Sequence, residues 1–575
     1  MSSSTAVRRI LVLGDDERSC LATIRSLGRK GVEVHLAGAE DGCPALQSRY
    51  VTKAYSLPPF IPGESAWCAA VAAILDGCRF DLVVPCSDPF ILALREHASV
   101  LSPRARLYLL PDAVFRVVQD KWETALIASS LGIPVASGTV VTESRQAAEL
   151  MERHGFPMIL KPVVSCDAAQ PMRIRHVQTA YSEGDLHRLL GDMLADGTVI
   201  AQSFCAGRGV GVEFLAKEGR ILYAFQHERV HEPLRGGGSS YRRSVPLDPV
   251  HYGQTEQLIA ALGYTGVGMA EFRVDDATKR GILLEINGRM WGSLPLAVAA
   301  GADFPWFLVQ MLLDGRTDFA PGYRKGLYAR NWPRDLVWMV RNGLADRQDP
   351  VLCTRPLATV LRECLNPLFL RETSDTLVLD DPAPAWAEWR ALALRATWRT
   401  GMRLLDVAWN VQPVRHWMVR RACEALGRAR TILFICKGNI CRSPFAKEYA
   451  DRVFAGTGRV FLSAGYYPQS GRGAPAVALE AAAAAGIDLS AHRSVLLTDE
   501  LLRKADMVIV MDAENRMELS RRSAAAGKVY FLGALAALGT LFIADPYGKD
   551  RNCFDRQYAR IAQTLEAAAA SFSRA

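Results

Sequence analysis

Strand-like apolar runs alternate with helical patterns in two separate parts of the sequence, and this alternation limits the folds open to the chain. The runs lie at 8–14, 31–38, 80–87, 105–111, 431–435, 460–465, 505–512 and 528–533. Alternation of this kind predicts parallel sheets covered by helices. Residues 112–320 instead mix helical and strand patterns, and 345–428 show no clear strand order. The sequence therefore predicts a multidomain protein with both α/β and α+β parts.

The length of the chain supports a division into domains. A chain of 575 residues is too long for a single hydrophobic core. We expect an α/β domain at 1–111, an α+β domain at 112–345, a helical connector rich in arginine and tryptophan at 346–428, and a second α/β domain at 429–575.

Composition excludes several classes of protein. Half of the residues are apolar and 22% are charged, as in globular proteins, and the net charge of +8 is small for this length. No motif indicates nucleic-acid binding. The thirteen cysteines are odd in number and irregularly spaced, which argues against a secreted disulfide framework. Without a signal-peptide or membrane-spanning pattern, we expect a cytoplasmic protein.

Residues 436–443, with the sequence CKGNICRS, place a cysteine and an arginine at the two ends of a short loop. A strand should end before this loop, and a helix should begin near Ser443. Backbone N–H groups of such a loop point inward above a helix N-terminus and bind anions, and Gly438 would permit the coil. The guanidinium of Arg442 can bind two phosphate oxygens, and the positive field favours a thiolate at Cys436. We therefore expect Cys436 to be the nucleophile of a phosphoryl transfer.

Phosphoryl transfer also needs a proton donor for the oxygen that leaves. The segment FIADPYG, at 542–548, provides Asp545 at the end of a predicted strand, followed by Pro546. Asp545 is thus the candidate general acid.

Together these motifs resemble the low-molecular-weight protein tyrosine phosphatase family over about 430–572. CKGNICRSP matches the family's phosphate loop, and SAG, HRS, ADMVIVMD and DPYG follow in family order. The resemblance implies a flavodoxin-like, doubly wound α/β domain that acts on phosphotyrosine or a similar aryl phosphate. It implies a nucleophile at Cys436, a transition-state clamp at Arg442, a general acid and base at Asp545, a thiolate-stabilising hydroxyl at Ser443, loop-shaping groups at Asn439, Ser463 and His492, and a redox partner of the nucleophile at Cys441.

Two departures from the family pattern leave the preferred phosphoester open. YYPQ follows SAG, and a single aromatic residue, Tyr547, follows Pro546. A buried structural thiol at Cys436 is one alternative. Arsenate reduction on the same fold is another, but it needs further downstream cysteines, and the sequence has none between Cys441 and Cys553.

A second set of charged residues lies in 112–345. Lys161 ends the strand pattern GFPMILKP and Lys121 begins a helical pattern, so both could bind phosphate oxygens. Glu271 lies on a later strand, and Glu285 and Asn287 face one side of the next. Oxygen ligands of this kind suit Mg²⁺, with Mn²⁺ as the alternative. Arg289, on the same face, could neutralise a transferred phosphoryl group.

The order of DK, GFPMILKP, AQSFCAG, a glycine-rich loop, AEF and EINGR resembles the ATP-grasp superfamily over about 1–320. This resemblance implies that ATP lies between two α+β halves and activates a carboxylate as an acylphosphate, which an amine or thiol then attacks. The residues implied for ATP are Lys121, Lys161, Gln202, Ser203, Phe204, Cys205, Glu213 and Arg289, and those implied for Mg²⁺ are Glu271, Glu285 and Asn287.

Within this set the resemblance gives more detailed roles. The lysines contact phosphates, the backbone of 202–205 receives the adenine, and Glu213 is the candidate ribose-binding acid. His227 and Arg229 are expected near the substrate, below a glycine-rich lid. The hinge has Ser203 where the family often has an acid.

Residues 384–430 carry nine arginines and three acidic residues. Arg395, Arg399 and Arg403 share one helical face, and Trp389, Leu392 and Ala396 share another. This pattern is compatible with a helix on an anionic membrane surface or with a packed helical connector. The second interpretation is favoured.

We therefore expect a bifunctional enzyme in which a carboxylate-amine ligase precedes a cysteine-dependent phosphatase. The alternative is a scaffold in which one unit, more readily the ATP unit, has lost catalysis and only binds. The sequence does not indicate the ligase substrates or the oligomeric state.

Overall fold

The structure is a computed structural model that describes residues 7–16, 18–167, 170–234, 236–347, 352–467, 470–520, 522–536, 538–549 and 551–572. The side chains of 167, 170–174, 395–396, 398–407 and 572 lie outside the described set, and so do the predicted faces of Arg395, Arg399, Arg403 and Ala396. The chain forms two compact units, Met1–Ala393 and Leu394–Ala575.

The first unit begins with a parallel sheet whose strands are in the order β3-β2-β1-β4. The strands are β1 (Arg9–Leu13), β2 (Glu33–Ala37), β3 (Val51–Tyr55) and β4 (Leu82–Pro85). The helices are α1 (Ser19–Arg29), α2 (Ala66–Gly77), α3 (Asp88–Glu96) and α4 (Ala98–Leu101). Strands β1 and β4 are buried on both faces, which explains their continuous apolar runs.

The sheet differs from the expected one in two places. The run at 105–111 forms only a single bridge, between Leu107 and Val83. Strand β3 was missed because it lies at the edge of the sheet with mostly exposed side chains, so its sequence VTKAY lacks an apolar run.

A smaller α+β layer follows, with strands in the antiparallel order β5-β10-β6-β9 and a separate β7-β8 pair. Its strands are β5 (Gly138–Val141), β6 (Met158–Pro162), β7 (Cys166–Asp167), β8 (Gln170–Ile174), β9 (Gln178–Ala180) and β10 (Val199–Ser203). Its helices are α5 (Asp112–Gln119), α6 (Lys121–Ser130), α7 (Ala147–His154) and α8 (Glu183–Leu194).

A larger sheet completes the α+β part in the order β15-β14-β11-β12-β13-β16-β17. Its strands are β11 (Arg208–Lys217), β12 (Arg220–His231), β13 (Tyr241–Val245), β14 (Gly266–Val274), β15 (Gly281–Asn287), β16 (Tyr328–Arg330) and β17 (Glu372–Ser374). The helices in and after it are α9 (Pro249–Ala261), α10 (Leu294–Ala299), α11 (Phe304–Asp314), α12 (Trp332–Leu344) and α13 (Leu357–Glu363).

The predicted helical connector at 346–428 needs correction, because its first part belongs to the first unit. Strand β17 pairs with β16 in parallel, and the buried Arg330 binds Glu372 through its Nε at 2.9 Å. Arg25 of α1 similarly donates to Asp381 at 2.9 Å. Only the later part forms two long helices, α14 (Ala383–Asn410) and α15 (Gln412–Arg428). A three-residue strand with mixed burial leaves no periodic signal in the sequence.

The second unit contains a parallel sheet in the order β19-β18-β20-β21, which confirms the predicted doubly wound α/β fold. Its strands are β18 (Thr431–Cys436), β19 (Val460–Gly465), β20 (Met507–Val510) and β21 (Val529–Phe531). Its helices are α16 (Arg442–Val453), α17 (Ala476–Ala484), α18 (Asp499–Lys504), α19 (Ala513–Ser520) and α20 (Arg551–Phe572).

Helices α16 and α20 pack on this sheet, where Phe445 and Tyr558 stack with ring centroids 3.9 Å apart. The predicted strand before Asp545 does not form, and 541–546 are irregular although Ile543 N donates to Met511 O at 2.7 Å. Among the described residues, no helix is long and apolar enough to cross a membrane.

Candidate functional sites

The loop 437–441 lies between the end of β18 and the start of α16, at the carboxyl edge of the parallel sheet. This is the edge where parallel α/β sheets bind ligands. Gly465 ends the neighbouring strand and lies against the loop. A Cβ at Gly465 would lie 2.8 Å from Asn439 N and 2.8 Å from Lys437 O. The loop can occupy this position only because residue 465 has no side chain.

Asn439 organises the loop from its centre. Its backbone is left-handed, with φ of 50°, so the left-handed residue of the coil is Asn439, whereas we expected Gly438 to permit the coil. Its side-chain amide donates to Ser463 Oγ at 3.0 Å, and its Oδ1 accepts from Val495 N at 2.8 Å. His492 Nε2 donates to the backbone oxygen of Asn439 at 2.7 Å. The structure thus brings Asn439, Ser463 and His492 together.

The sulfur of Cys436 is buried and faces two groups of the loop. Ser443 Oγ lies 3.1 Å from Cys436 Sγ, and Asn439 N donates to the sulfur at 3.3 Å. Asn439 Nδ2 also donates to Ser443 Oγ at 2.9 Å. Because that oxygen accepts from Asn439, the Ser443 hydroxyl proton is available to the sulfur.

Arg442 is buried and faces two carboxylates. Its Nη2 lies 2.9 Å from Asp545 Oδ2, its Nη1 lies 2.5 Å from Asp512 Oδ2, and Nη1 also donates to Ile543 O at 3.0 Å. Burial opposes the charge, but Asp512, Cys436 and Asp545 outweigh burial and raise the pKa of Arg442. Among the described groups, the buried Nε of Arg442 has no hydrogen-bond partner, so it can donate to an anion.

Asp512 is a site residue that sequence reasoning missed. It lies two residues after the end of β20, at the same carboxyl edge of the sheet as Cys436, and its Oδ1 accepts from Asn515 N at 2.8 Å. Its position after a buried parallel strand was the signal that could have identified it.

Cys441 is also buried, and its carbonyl oxygen accepts from Tyr558 at 3.2 Å. Burial, together with the neighbouring Cys436 and Asp545, raises the pKa of Cys441 well above its usual range. Cys441 is therefore a protonated thiol at neutral pH.

Aromatic residues at the predicted substrate wall have different surroundings. Tyr466 packs inward and accepts from Asn515 Nδ2 at 3.1 Å. Tyr467 is 43% exposed under the guanidinium of Arg472, 4.4 Å from the ring centroid, and Tyr547 is 60% exposed. Pro468 and Gln469 lie outside the described residues.

The second site lies where β14 and β15 pair in the first unit. Glu271 and Glu285 are direct partners in this antiparallel ladder, and Asn287 pairs with Met269 two residues further on. Asn287 Nδ2 donates to Glu285 Oε1 at 3.3 Å. The three predicted metal ligands therefore lie on adjacent strands.

Glu285 lies among the predicted cations. Lys121 Nζ is 3.8 Å from Glu285 Oε2 and donates to Ser165 Oγ. Lys161 is buried, and its Nζ lies 3.5 Å from Leu284 O. Burial opposes ionisation of Glu285, but the charges of Lys121, Lys161 and Arg289 outweigh it and lower the pKa of the carboxyl. Burial, reinforced by Lys121 and opposed by Glu285, lowers the pKa of Lys161 to about 8.

A cavity of about 80 Å³ adjoins these groups, and Arg289 forms part of its wall. Lys121, Glu285 and Asn287 also line it. Arg289 Nε donates to Asp88 Oδ2 at 2.9 Å, so an acid from α3 orients it. Asp88 and Ser165, both in the cavity wall, were not predicted. Asp88 lies far from the motifs in the sequence, and Ser165 lies just beyond the end of the GFPMILKP motif.

Glu271 is paired with Arg229, whose Nη2 lies 2.6 Å from Glu271 Oε2. Burial opposes the Arg229 charge, but Glu271 and Glu232 outweigh it and raise the pKa of Arg229. Burial in turn raises the pKa of Glu271, although Arg229 opposes that rise. Arg229 therefore lies beside Glu271, one of the expected metal ligands.

His227 and Glu213 do not lie where the resemblance implied. His227 Nδ1 is 2.7 Å from Glu213 Oε1, and Ser293 Oγ donates to the same oxygen at 3.1 Å. Both Glu213 and His227 are almost completely enclosed. Glu213 could not reach a ribose from this position without a rearrangement, because it points into the core of the larger sheet.

The predicted adenine segment, Gln202 to Cys205, lies at the end of β10. Gln202 Nε2 lies 3.5 Å from Ala136 O, and Ser203 Oγ is 3.1 Å from His154 Nδ1. Phe204 and Cys205 are half-buried, with Cys205 Sγ 3.7 Å from Ser203 O. Strand β6 pairs Lys161 with Ile200 of β10, so the segment and the lysine share one sheet.

The chemistry of the donor set fits Mg²⁺. The described residues contain no group of three or more His, Cys, Asp and Glu side chains suited to a metal. An ion here would therefore take two carboxylates and one amide oxygen from the protein. Such a ligand set is typical of Mg²⁺, which usually keeps water and nucleotide phosphate oxygens as its other ligands.

Comparison with known proteins finds a matching family model in each unit. Residues 431–575 match the family model of low molecular weight phosphotyrosine protein phosphatases. Residues 196–332 match the model of an ATP-grasp "in the biosynthetic pathway with Ter operon".

Two curated relatives match the second unit. The "Probable low molecular weight protein-tyrosine-phosphatase EpsP" of Ralstonia nicotianae is 38% identical over 139 residues, which cover 24% of this chain and 92% of that protein. The phosphatase Etp of Escherichia coli is 30% identical over 145 residues, or 25% of this chain and 95% of that protein.

Among solved structures, an L-amino acid ligase from Bacillus licheniformis is 17% identical, with a TM-score of 0.42, and the match covers 56% of this chain and 78% of that one. This overall likeness is too weak to indicate an activity. The family assignment rests instead on the phosphatase relatives, which are covered almost in full, and on the two family models. Through residues 431–575 the chain belongs to the low molecular weight phosphotyrosine protein phosphatase family, and an ATP-grasp domain precedes that phosphatase domain in the same chain.

Proposed function

We propose that the chain is a bifunctional enzyme: a phosphatase acting through a phosphocysteine, fused to an ATP-dependent ligase acting through an acylphosphate. The observation that carries the phosphatase half is the convergence of Cys436, Arg442 and Asp545 at one loop. The sulfur faces Ser443 at 3.1 Å, and Arg442 pairs with Asp545 at 2.9 Å. A nucleophile, a clamp for phosphate oxygens and a proton donor are the groups that this reaction requires.

In the first step, the Cys436 thiolate attacks phosphorus and forms an S–P bond. The P–O bond to the leaving group breaks, and its electron pair goes to the leaving oxygen, which takes the proton of Asp545. Arg442 holds two of the equatorial oxygens.

In the second step, water attacks the phosphocysteine and gives a proton to Asp545. The S–P bond breaks, and its electron pair returns to the Cys436 sulfur, where the hydroxyl of Ser443 stabilises the thiolate. We propose an aryl phosphate or a phosphotyrosine protein as substrate. The exposed rings of Tyr467 and Tyr547 are the candidate walls for the substrate ring.

Arsenate reduction is less well supported on the same loop. That reaction would need a further cysteine downstream of the loop to carry the disulfide relay. No cysteine lies between Cys441 and Cys553 in the sequence. Incubation with arsenate and a thiol reductant tests this alternative, and arsenite production would favour it over phosphatase activity.

For the first unit we propose that ATP and Mg²⁺ bind at the paired Glu271 and Glu285. Mg²⁺, when bound, would neutralise charge on the nucleotide phosphates. Glu271, Glu285 and Asn287 would hold the ion, and Lys121 and Lys161 would bind the phosphate oxygens. The close packing of these groups around Glu285 supports the assignment.

The proposed ligase reaction has two steps. A substrate carboxylate attacks the γ-phosphorus and releases ADP. An amine or thiol then attacks the acyl carbon, loses a proton and displaces phosphate. A scaffold role for this unit is the alternative, in which it binds ATP without turning it over.

A screen of carboxylates with amines or thiols, run in the Cys436→Ser protein, tests the ligase proposal. Release of ADP and phosphate should depend on both substrates and on Mg²⁺. The variant removes the phosphatase as a second source of phosphate. ATP binding without any turnover across a broad screen would favour the scaffold.

We also propose that the chain works in the cytoplasm, as its cysteine content indicates, and cell fractionation tests this. Contact of residues 384–430 with a membrane surface has weaker support, because α15 buries Ala422 and Leu426 against the phosphatase domain. Co-sedimentation with vesicles of anionic lipid would reveal such a contact.

A further inference from the structure

A second cavity lies in the Leu394–Ala575 unit, away from the residues of the phosphate loop. Its volume is about 320 Å³, which is within the range of small-molecule pockets. Helix α15 forms one wall, and the segment from α19 to β21 forms the others. None of the residues assigned to the phosphatase reaction lines it.

The floor of this cavity is apolar. Leu519, Ala525, Phe531 and Ala534 are all buried there. The rim adds the indole of Trp417, which is 54% exposed, and the ring of Tyr530. Such a surface suits a flat, apolar ligand body.

The rim is also strongly cationic. Arg421, Arg516 and Arg522 line the cavity, whereas its described lining contains no Asp or Glu. Arg522 is 3.5 Å from Asp499, outside the lining, so its charge is partly neutralised. The guanidinium of Arg516 donates to a carbonyl, Val529 O, at 2.7 Å.

Arg421 and Arg516 are held in place by aromatic rings. The Arg421 guanidinium lies 5.0 Å from the Trp417 ring, and that of Arg516 lies 5.3 Å from the Phe531 ring. Burial and the charge of Arg421 lower the pKa of Arg516, which places the two cations within each other's field. Two neighbouring cations beside an apolar floor favour an anion with an aromatic body.

The wall formed by α15 lies outside the matched phosphatase domain. The phosphatase family model begins at residue 431, after α15 ends at Arg428. Helix α15 is fixed on the domain by the buried Ala422 and Leu426, and Cys423 Sγ lies 3.6 Å from Leu535 O. Trp417 and Arg421 therefore come from a segment outside the matched domain, and that segment completes the cavity.

We propose that this cavity is a binding site for a small aromatic anion, such as an aryl carboxylate, sulfonate or phosphate, with its ring on the apolar floor and its charge between Arg421 and Arg516. The site is separate from both proposed reaction sites, so its occupancy does not depend on either assignment.

The test is a fluorescence titration of the full chain with 8-anilinonaphthalene-1-sulfonate, an aromatic sulfonate. Its neutral counterpart, N-phenyl-1-naphthylamine, has the same rings without the charge. Arg421→Gln removes one cation at the rim. Arg420→Gln is the matched control, because Arg420 is the neighbouring residue, is highly exposed and pairs with Glu424 at 2.9 Å outside the cavity.

We expect Arg421→Gln to weaken a sulfonate-binding component about tenfold, the size of one charge-assisted hydrogen bond, and Arg420→Gln to leave it unchanged. The neutral probe should bind more weakly and equally to all three proteins. Hydrolysis of an aryl phosphate should be the same in both variants, which shows that the domain is folded. Equal sulfonate affinities in the two variants, or a neutral probe that binds as tightly as the sulfonate, would overturn the proposal.

Discussion

Arg442 and Asp545 form an ion pair across the phosphate loop, with 2.9 Å between Nη2 and Oδ2. Arg442 is buried, whereas the Asp545 side chain is 44% exposed. The arginine is fixed by Asp512 and Ile543 O, so the more accessible partner is the one that can turn toward a substrate. This asymmetry suits a rigid phosphate clamp beside a mobile proton donor.

If Asp545 is the proton donor, substitution of this residue should slow phosphocysteine formation by an amount that depends on the leaving group. Asp545→Asn should slow phosphocysteine formation about 10²- to 10⁴-fold for phenyl phosphate, whose leaving oxygen needs a proton. The loss should be much smaller for aryl phosphates whose phenols are strong acids. Burst-phase kinetics over a series of substituted phenyl phosphates measures the difference. Equal slowing across the series would argue against proton donation by Asp545.

The contact of Gly465 with the loop predicts that a side chain at position 465 impairs aryl phosphate hydrolysis. In Gly465→Ala the new Cβ would lie 2.8 Å from two backbone atoms, which cannot move without displacing the loop. We expect kcat/KM for an aryl phosphate to fall at least about 100-fold, since a misplacement of about 1 Å can cost that much. Gly473→Ala is the control, because the nearest neighbour of its Cβ would be a side-chain atom of Arg493 at 3.8 Å. Similar activity in both variants would contradict the close contact.

The lowered pKa of Lys161 predicts that nucleotide binding depends on pH. Its pKa of about 8 in the free protein means that the charged form prevails below pH 8 and is lost above it. A bound phosphate favours the charged form, so the affinity for ADP with Mg²⁺ should fall as pH rises through about 8. The expected loss is about tenfold between pH 7 and pH 9.

Lys161→Arg is the control for this dependence, because a guanidinium stays charged over the whole range. Isothermal titration calorimetry with ADP and Mg²⁺ should give a nearly flat pH profile in that variant. If both proteins show the same profile, Lys161 does not contact the phosphates.

The sequence predicted those features that depend on local pattern. Strands β18 and β19 and the helix after the phosphate loop were recognisable because their apolar runs and the CKGNICRSP motif are contiguous. Glu285 and Asn287 could be placed on one face of a strand because side chains alternate there.

Features that depend on contacts between distant segments were not predictable in this way. Asp512 pairs with Arg442, from which it is separated by 70 positions in the sequence. Asp88 pairs with Arg289, from which it is separated by 201 positions. Strand β17 is short, and it is positioned by its pairing with β16 and by the buried ion pair between Arg330 and Glu372. Glu213 was assigned from its order in the chain, but the pairing of β11 with β12 turns it toward His227 in the core.

The central claim is that two sites on one chain act separately, and a comparison of Cys436→Ser with Glu285→Gln tests it most directly. Each protein is assayed for aryl phosphate hydrolysis and, by calorimetry, for Mg²⁺-dependent ATP binding. We predict that Cys436→Ser abolishes hydrolysis and leaves ATP binding intact, whereas Glu285→Gln removes the Mg²⁺ dependence of ATP binding and leaves hydrolysis intact. Retained hydrolysis in Cys436→Ser, or unchanged Mg²⁺-dependent binding in Glu285→Gln, would contradict the account.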